Sequence, residues 1–146
     1  MNYGKRKTDL SIYGQQTRSA LRGYGNNQGK RHQCRALSLA DTKDFGILRI
    51  IVHDTEKAVD ALKDAGYAVT VNEIVAITIP DSPGQLSRVL EILGKDNVNL
   101  EYLYAFTGAS DRAVSFVLRV NDNDAAAASL TKGGIIQLTE NDIADM

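Results

Sequence analysis

Apolar positions in the second half of the chain change their period several times. Glu73 to Ile79 (EIVAITI) is short and β-branched and ends at Pro80, which reads as a strand. Beyond it, Leu86, Val89, Leu90 and Leu93 recur at helical spacing and form one apolar stripe. Ser82 suits the N-cap of that helix, Pro83 its first position, and Gln85 closes a capping box three residues on. Gly94 and Asn97 can end it. Val98 to Phe106 (VNLEYLYAF) reads as extended, Thr107 to Arg112 as a turn, and Ala113 to Val120 (AVSFVLRV) as a third strand. Asn121 to Asp124 can cap a short helix through Leu130, stopped by Gly133-Gly134, and Ile135 to Leu138 is the last strand. The order is βαββαβ. With right-handed crossovers it closes into a four-stranded antiparallel sheet with two helices on one face, an α+β fold of the ferredoxin-like kind.

The first half repeats the later part of this pattern. Arg35 to Ala40 matches Glu101 to Phe106, and Phe45 to Val52 (FGILRIIV) matches the strand that ends at Val120. Asp54 falls where Asp122 falls, Leu62 where Leu130 falls, and Gly66 where Gly134 falls, a period of about 66 to 68 residues. The expected organisation is therefore a basic arm over 1–34, the remainder of a first unit over 35–72, and a complete second unit over 73–146.

Charge brings out an anomaly. The formal net charge is only −1, so no global field points to nucleic acid or an acidic substrate. Yet Lys5, Arg6, Lys7, Arg18, Arg22, Lys30 and Arg31 stand against Asp9 alone before Cys34. By the repeat, a loop and helix belong at about 14–34, but GQQTRSALRGYGNNQGKRHQC has no helical stripe and reads as weakly structured. Read one nucleotide later, the degenerate codons permit D-N-K-Q-G-A-L-x-x-V-T-E-I-I-K-A-N-D-I-N-V, which lies without a gap beneath Pro80 to Leu100 (PDSPGQLSRVLEILGKDNVNL). The expectation is a compensated frameshift between about Tyr13 and Arg35, with Lys7 to Tyr13 (KTDLSIY) the authentic first strand. Without the covering helix, Leu37, Leu39, Ile47 and Ile50 are expected to expose apolar surface, leaving the first unit marginal or dependent on a partner.

The motif Asp81-Ser82-Pro83-Gly84-Gln85-Leu86, Asn99 within VNLEYLYAF, and the paired segments RALSLAD and FGILRIIV resemble the ACT domain family, specifically small stand-alone proteins with two tandem ACT units. The resemblance covers Arg35 to Met146 well and Asp9 to Tyr13 weakly. It implies a regulatory, allosteric protein that binds an amino acid or other small effector at interfaces between ACT units. Elementary chemistry agrees. A helix start offers unpaired N–H groups and the positive end of the helix dipole to a carboxylate. Gly84 allows close approach to the backbone, and Asp81 could attract an α-ammonium group. The expected ligand-binding set is Asp81, Ser82, Pro83, Gly84, Gln85 and Leu86. Asn99, Leu103, Leu37 and Ser38 would complete it if two units pair side by side.

Other functions find less support in the residues. Neither a Ser–His–Asp set, nor paired catalytic carboxylates, nor a phosphate loop is present, so no enzyme is expected. His53 and His32 lack companions for a metal site, and Asn121 to Asp124 lacks the later residues of a calcium loop, so no metal or cofactor is expected. An RNA-binding sheet needs exposed aromatics on its central strands; EIVAITI has none, and Phe116 reads as core. Tyr102, Tyr104 and Phe106 alternate on one strand face, the mark of sheet packing. Cys34, the sole cysteine, fits a reducing cytoplasmic setting, and no apolar run reaches the length of a membrane span. The expected partners are the effector and either a second copy or a regulated enzyme; the alternative is an oligomerisation module with no ligand of its own.

Overall fold

A computed structural model describes residues 7–14, 34–41, 44–106 and 112–144. The chain divides into two compact units, Met1–Asn72 and Glu73–Met146. Of the segment expected to be out of frame, 14–34, all but its two end residues lies outside the described residues, His32 included, as does most of the turn expected at 107–112.

The first unit contains β1 (Thr8–Gly14), β2 (Cys34–Asp41), β3 (Gly46–Val52), helix α1 (Thr55–Asp64) and β4 (Ala68–Glu73). The strand order is β2-β3-β1-β4. β1 is the strand expected from KTDLSIY, and it pairs antiparallel with β3 from Leu10↔Ile50 to Gly14↔Gly46. Leu10, Ile12, Leu48, Ile50 and Val52 share one face and bury against Ala58, Val59 and Leu62 of α1. The expected exposure of Ile50 is corrected here, because its register beside Leu10 puts it under α1 and it is fully buried. Ile47 is half-buried, whereas Leu37 and Leu39 on edge strand β2 are 48% and 43% exposed. On the opposite face, Asn72 Nδ2 donates to Asp9 Oδ1 (3.1 Å) and Ser11 Oγ (3.0 Å), tying β4 to β1 and satisfying part of a buried carboxylate.

The second unit runs β5 (Val75–Pro80), α2 (Gln85–Lys95), β6 (Leu100–Phe106), β7 (Ala113–Val120), α3 (Asn123–Lys132), β8 (Ile136–Gln137) and a short terminal helix α4 (Glu140–Ala144). Its order, β6-β7-β5-β8, is that of the first unit. Val75, Ile77, Ile79, Leu118 and Val120 form the core with Val89 and Leu93 of α2 and Ala126 and Leu130 of α3, so the helices lie on one sheet face. Tyr102, Tyr104 and Phe106 point to the other face. The two tyrosine rings stack with centroids 6.3 Å apart, and Tyr104 and Phe106 are buried, the sheet-packing role expected of them.

The repeat holds in detail. Asp54 and Asp122 are both N-caps, accepting from the backbone N–H of Lys57 (3.1 Å) and Ala125 (3.0 Å). Leu62 and Leu130 are both fully buried. Gly66 and Gly134 both take positive φ, 89° and 74°, where the chain leaves a helix for the next strand. A β-bulge also recurs. Residue 35 is the extra residue of β2, between Cys34↔Val52 and Ala36↔Ile51, and Glu101 is the extra residue of β6, between Leu100↔Val120 and Tyr102↔Arg119. No helix of the described residues is long and apolar enough to cross a membrane.

Candidate functional site

The turn from β5 into α2 differs from its expected form. The helix begins at Gln85, and its N-cap is Gly84 rather than Ser82. Pro83 therefore belongs to the preceding turn, and the capping box between Ser82 and Gln85 does not form. The cause is local. The N–H of Gln85 reaches the carbonyl of Ser82 (3.4 Å), closing a turn, and Gly84 at φ 85° and ψ −8° takes a left-handed conformation that interrupts helical geometry. A serine placed two residues before such a glycine cannot cap the helix. Upstream, the N–H of Asp81 donates to Arg112 O (2.9 Å) and that of Ser82 to Pro80 O (2.9 Å), so the turn is anchored to the start of β7.

Two consequences bear on function. First, no side chain of the described residues caps α2. Its first helical backbone bond runs from Arg88 N–H to Gly84 O (3.0 Å), and the Gln85 N–H is already engaged by Ser82 O, so it is the amides of Leu86 and Ser87 that stand without an intrahelical partner at the positive end of the helix. Secondly, a methyl placed on Gly84 would meet nothing within 4 Å among the described residues. Asp81, Ser82, Pro83 and Gly84 are exposed and Gln85 is half-buried. Leu86 leans on the core and fixes the helix start to the sheet. Val89 and Leu93 are buried, but Leu90 is 40% exposed, because it sits about a quarter-turn from the line through those two. Ile92 packs on the core instead.

The remaining expected site residues lie elsewhere. β5 and β6 run parallel on either side of β7, so Pro80 is opposite Ala113 while Leu100 is opposite Val120. Asn99 is thus at the other end of the sheet from the Asp81–Gly84 turn, about 23 Å along β7 at roughly 3.3 Å per residue. Its backbone is occupied, with its N–H on Asn121 Oδ1 (2.9 Å) and its carbonyl accepting from Asn121 N–H (3.1 Å). Leu103 is half-buried against the core, in register with Leu118. Leu37 and Ser38 belong to the first unit, on β2, where Ser38 is half-buried opposite Arg49. Within the second unit, then, the structure assembles Asp81 to Leu86 and separates them from Asn99 and Leu103. The sequence reading missed the bulge at Glu101 and the tie it makes to Arg119 (3.2 Å); bulges leave no fixed residue signature, and only the register discloses this one. Among the described residues no group of three His, Cys, Asp or Glu side chains could hold a metal ion.

Two ferredoxin-like units in one chain, each with the same caps, glycines and bulge, define a class of paired small domains. The ACT domain pair family matches residues 15–146, and the chain belongs to it. A crystallographically determined protein of Bacteroides thetaiotaomicron is 31% identical, with 97% of this chain and 98% of that chain covered and a TM-score of 0.86. The fold is shared with the regulatory subunit of aspartate kinase from Thermus thermophilus (12% identity, 88% and 92% covered, TM-score 0.63) and from Thermus flavus (12%, 89% and 94%, TM-score 0.62). No curated protein matches the chain.

Proposed function

We propose that this protein is a non-catalytic allosteric module that binds a small effector, an amino acid, at the β5–α2 turn, and that it acts on a second copy or on a regulated enzyme in the cytoplasm. The observation that carries the reading is the glycine-hinged start of α2, which among the described residues has no side-chain cap and open space over Gly84. A carboxylate placed there gains backbone N–H donors and the helix dipole, about 0.3–1 kcal/mol from the dipole at an exposed site, while Asp81 stands near enough in sequence to meet an ammonium group. The aspartate kinase regulatory subunits of the same fold support a regulatory role. Asn99, Leu103, Leu37 and Ser38 contribute only where another ACT unit brings them to the turn. A thermal-shift screen of the twenty amino acids tests this. At least one raises the melting temperature, and Gly84→Val removes the rise; if none does so, the oligomerisation reading takes its place.

The proposal includes the frame of the segment between β1 and β2. Residues 15–33 separate β1 from β2 and residues 81–99 separate β5 from β6, equal lengths in the two repeats. The written residues nevertheless lack the Asp-x-Pro-Gly-x-Leu pattern and the apolar stripe that the second repeat carries. A compensated frameshift there accounts for both facts. Resequencing the gene decides it, since a single uninterrupted frame encoding the written residues excludes the shift.

A further inference from the structure

The bulge at Glu101 brings a carboxylate to the guanidinium of Arg119. An extra residue in a strand bends it and re-aims a side chain. Here Oε2 of Glu101 accepts from Nε of Arg119 at 3.2 Å, and Nη1 of the same guanidinium donates to the backbone carbonyl of Glu73 at 2.7 Å. Glu73 ends β4, the last strand of the first sheet, and Val75 begins β5 of the second, so Ile74 alone separates the two strands. In the first unit the position of Arg119 is held by Ile51, which is apolar and buried. The arrangement is thus specific to the second repeat rather than inherited with the fold.

We propose that Glu101, Arg119 and the Glu73 carbonyl form a clamp through which the state of edge strand β6 reaches the connection between the two units. The planar guanidinium suits the role, because one rigid fork engages the bulge and the connection together, which an ammonium group on a flexible stem cannot match. The pair is partly exposed, with side-chain exposures of 30% for Arg119 and 46% for Glu101, so it is a weak tie that can be made and released without unfolding the sheet. The inference does not depend on the effector proposal, and its test needs no ligand.

Amide hydrogen exchange on the full chain reads the clamp directly. Arg119→Ala is expected to speed exchange at Ile74 and Val75 at least threefold while Leu130 in α3 keeps its wild-type rate. Glu101→Ala should produce the same local acceleration at a site it does not touch, and Arg119→Lys should fall between wild type and Arg119→Ala. If Glu101→Ala leaves Ile74 and Val75 unchanged, Arg119 merely holds the carbonyl and the coupling to β6 is overturned. A general acceleration that extends to Leu130 in both alanine variants also overturns it, by showing that the pair supports the whole unit.

Discussion

Asn121 and Asn99 bond each other twice, side chain to backbone at 2.9 Å and backbone to backbone at 3.1 Å, and so fix where β6 begins relative to the end of β7. This pairing sits one residue before β6 and two before the bulge, so it sets the register from which the bulge departs. Asn121→Ala removes the acceptor for the Asn99 N–H and should cost about 0.5–1.5 kcal/mol. Asn121→Asp retains an acceptor and should stay closer to wild type. Urea unfolding of the three proteins gives the comparison.

The two aspartate caps allow a matched test of the repeat. Asp54→Ala and Asp122→Ala each strip a helix N-terminus of its side-chain acceptor, and each should destabilise by about 1 kcal/mol. Loss of the ion pair between Asp54 and Lys57 (3.6 Å) adds little, because both side chains are well exposed. Chemical denaturation of the single variants and the double variant should show additive effects, as expected of separate sites.

Two glycines should respond to alanine for opposite reasons. Gly84 is unhindered but left-handed, so Gly84→Ala costs about 1–2 kcal/mol in backbone strain, and Gly84→Asn costs less. Gly133 has an ordinary φ of −80°, yet a methyl there would lie 2.5 Å from Ile92 Cδ1. Gly133→Ala should therefore cost about 1–3 kcal/mol by crowding the α2–α3 contact, and the added Ile92→Val should recover part of the loss. Melting curves of these variants separate strain from crowding.

Ile50 and Leu37 face each other in register on the same sheet face, but only Ile50 is buried. Ile50→Ala should cost about 2–5 kcal/mol, whereas Leu37→Ala should change stability by less than about 1 kcal/mol. Equilibrium unfolding of both variants measures the difference.

These contrasts also show what could be read from the residues alone. Strand and helix order, both aspartate caps, Leu62 and Leu130, and the paired glycines were legible because each rests on local chemistry that the repeat states twice. Ile50 was misplaced because burial depends on register with β1, a partner far away in sequence. The start of α2 was misplaced because Ser82 and Pro83 are good cap chemistry, and only the conformation of Gly84 shows that the turn is completed first. Asn99 is expected at the site only through a second unit paired side by side, and the parallel course of β5 and β6 puts it at the far end of its own sheet from the turn. The Thr139–Asp142 cap of α4 was overlooked although its spacing is a legible signal: Thr139 N–H and Oγ1 both bond Asp142 Oδ2, at 2.7 and 2.8 Å.

The central claim concerns the backbone at the start of α2, and amide chemical shifts report on it residue by residue. In an NMR titration of the chain with the amino acid that most raises its melting temperature, the amides of Gly84, Gln85, Leu86 and Ser87 should move first and saturably, and Gly84→Val should abolish the movement. Saturable shifts confined to other residues, with these four amides unmoved, would contradict the account.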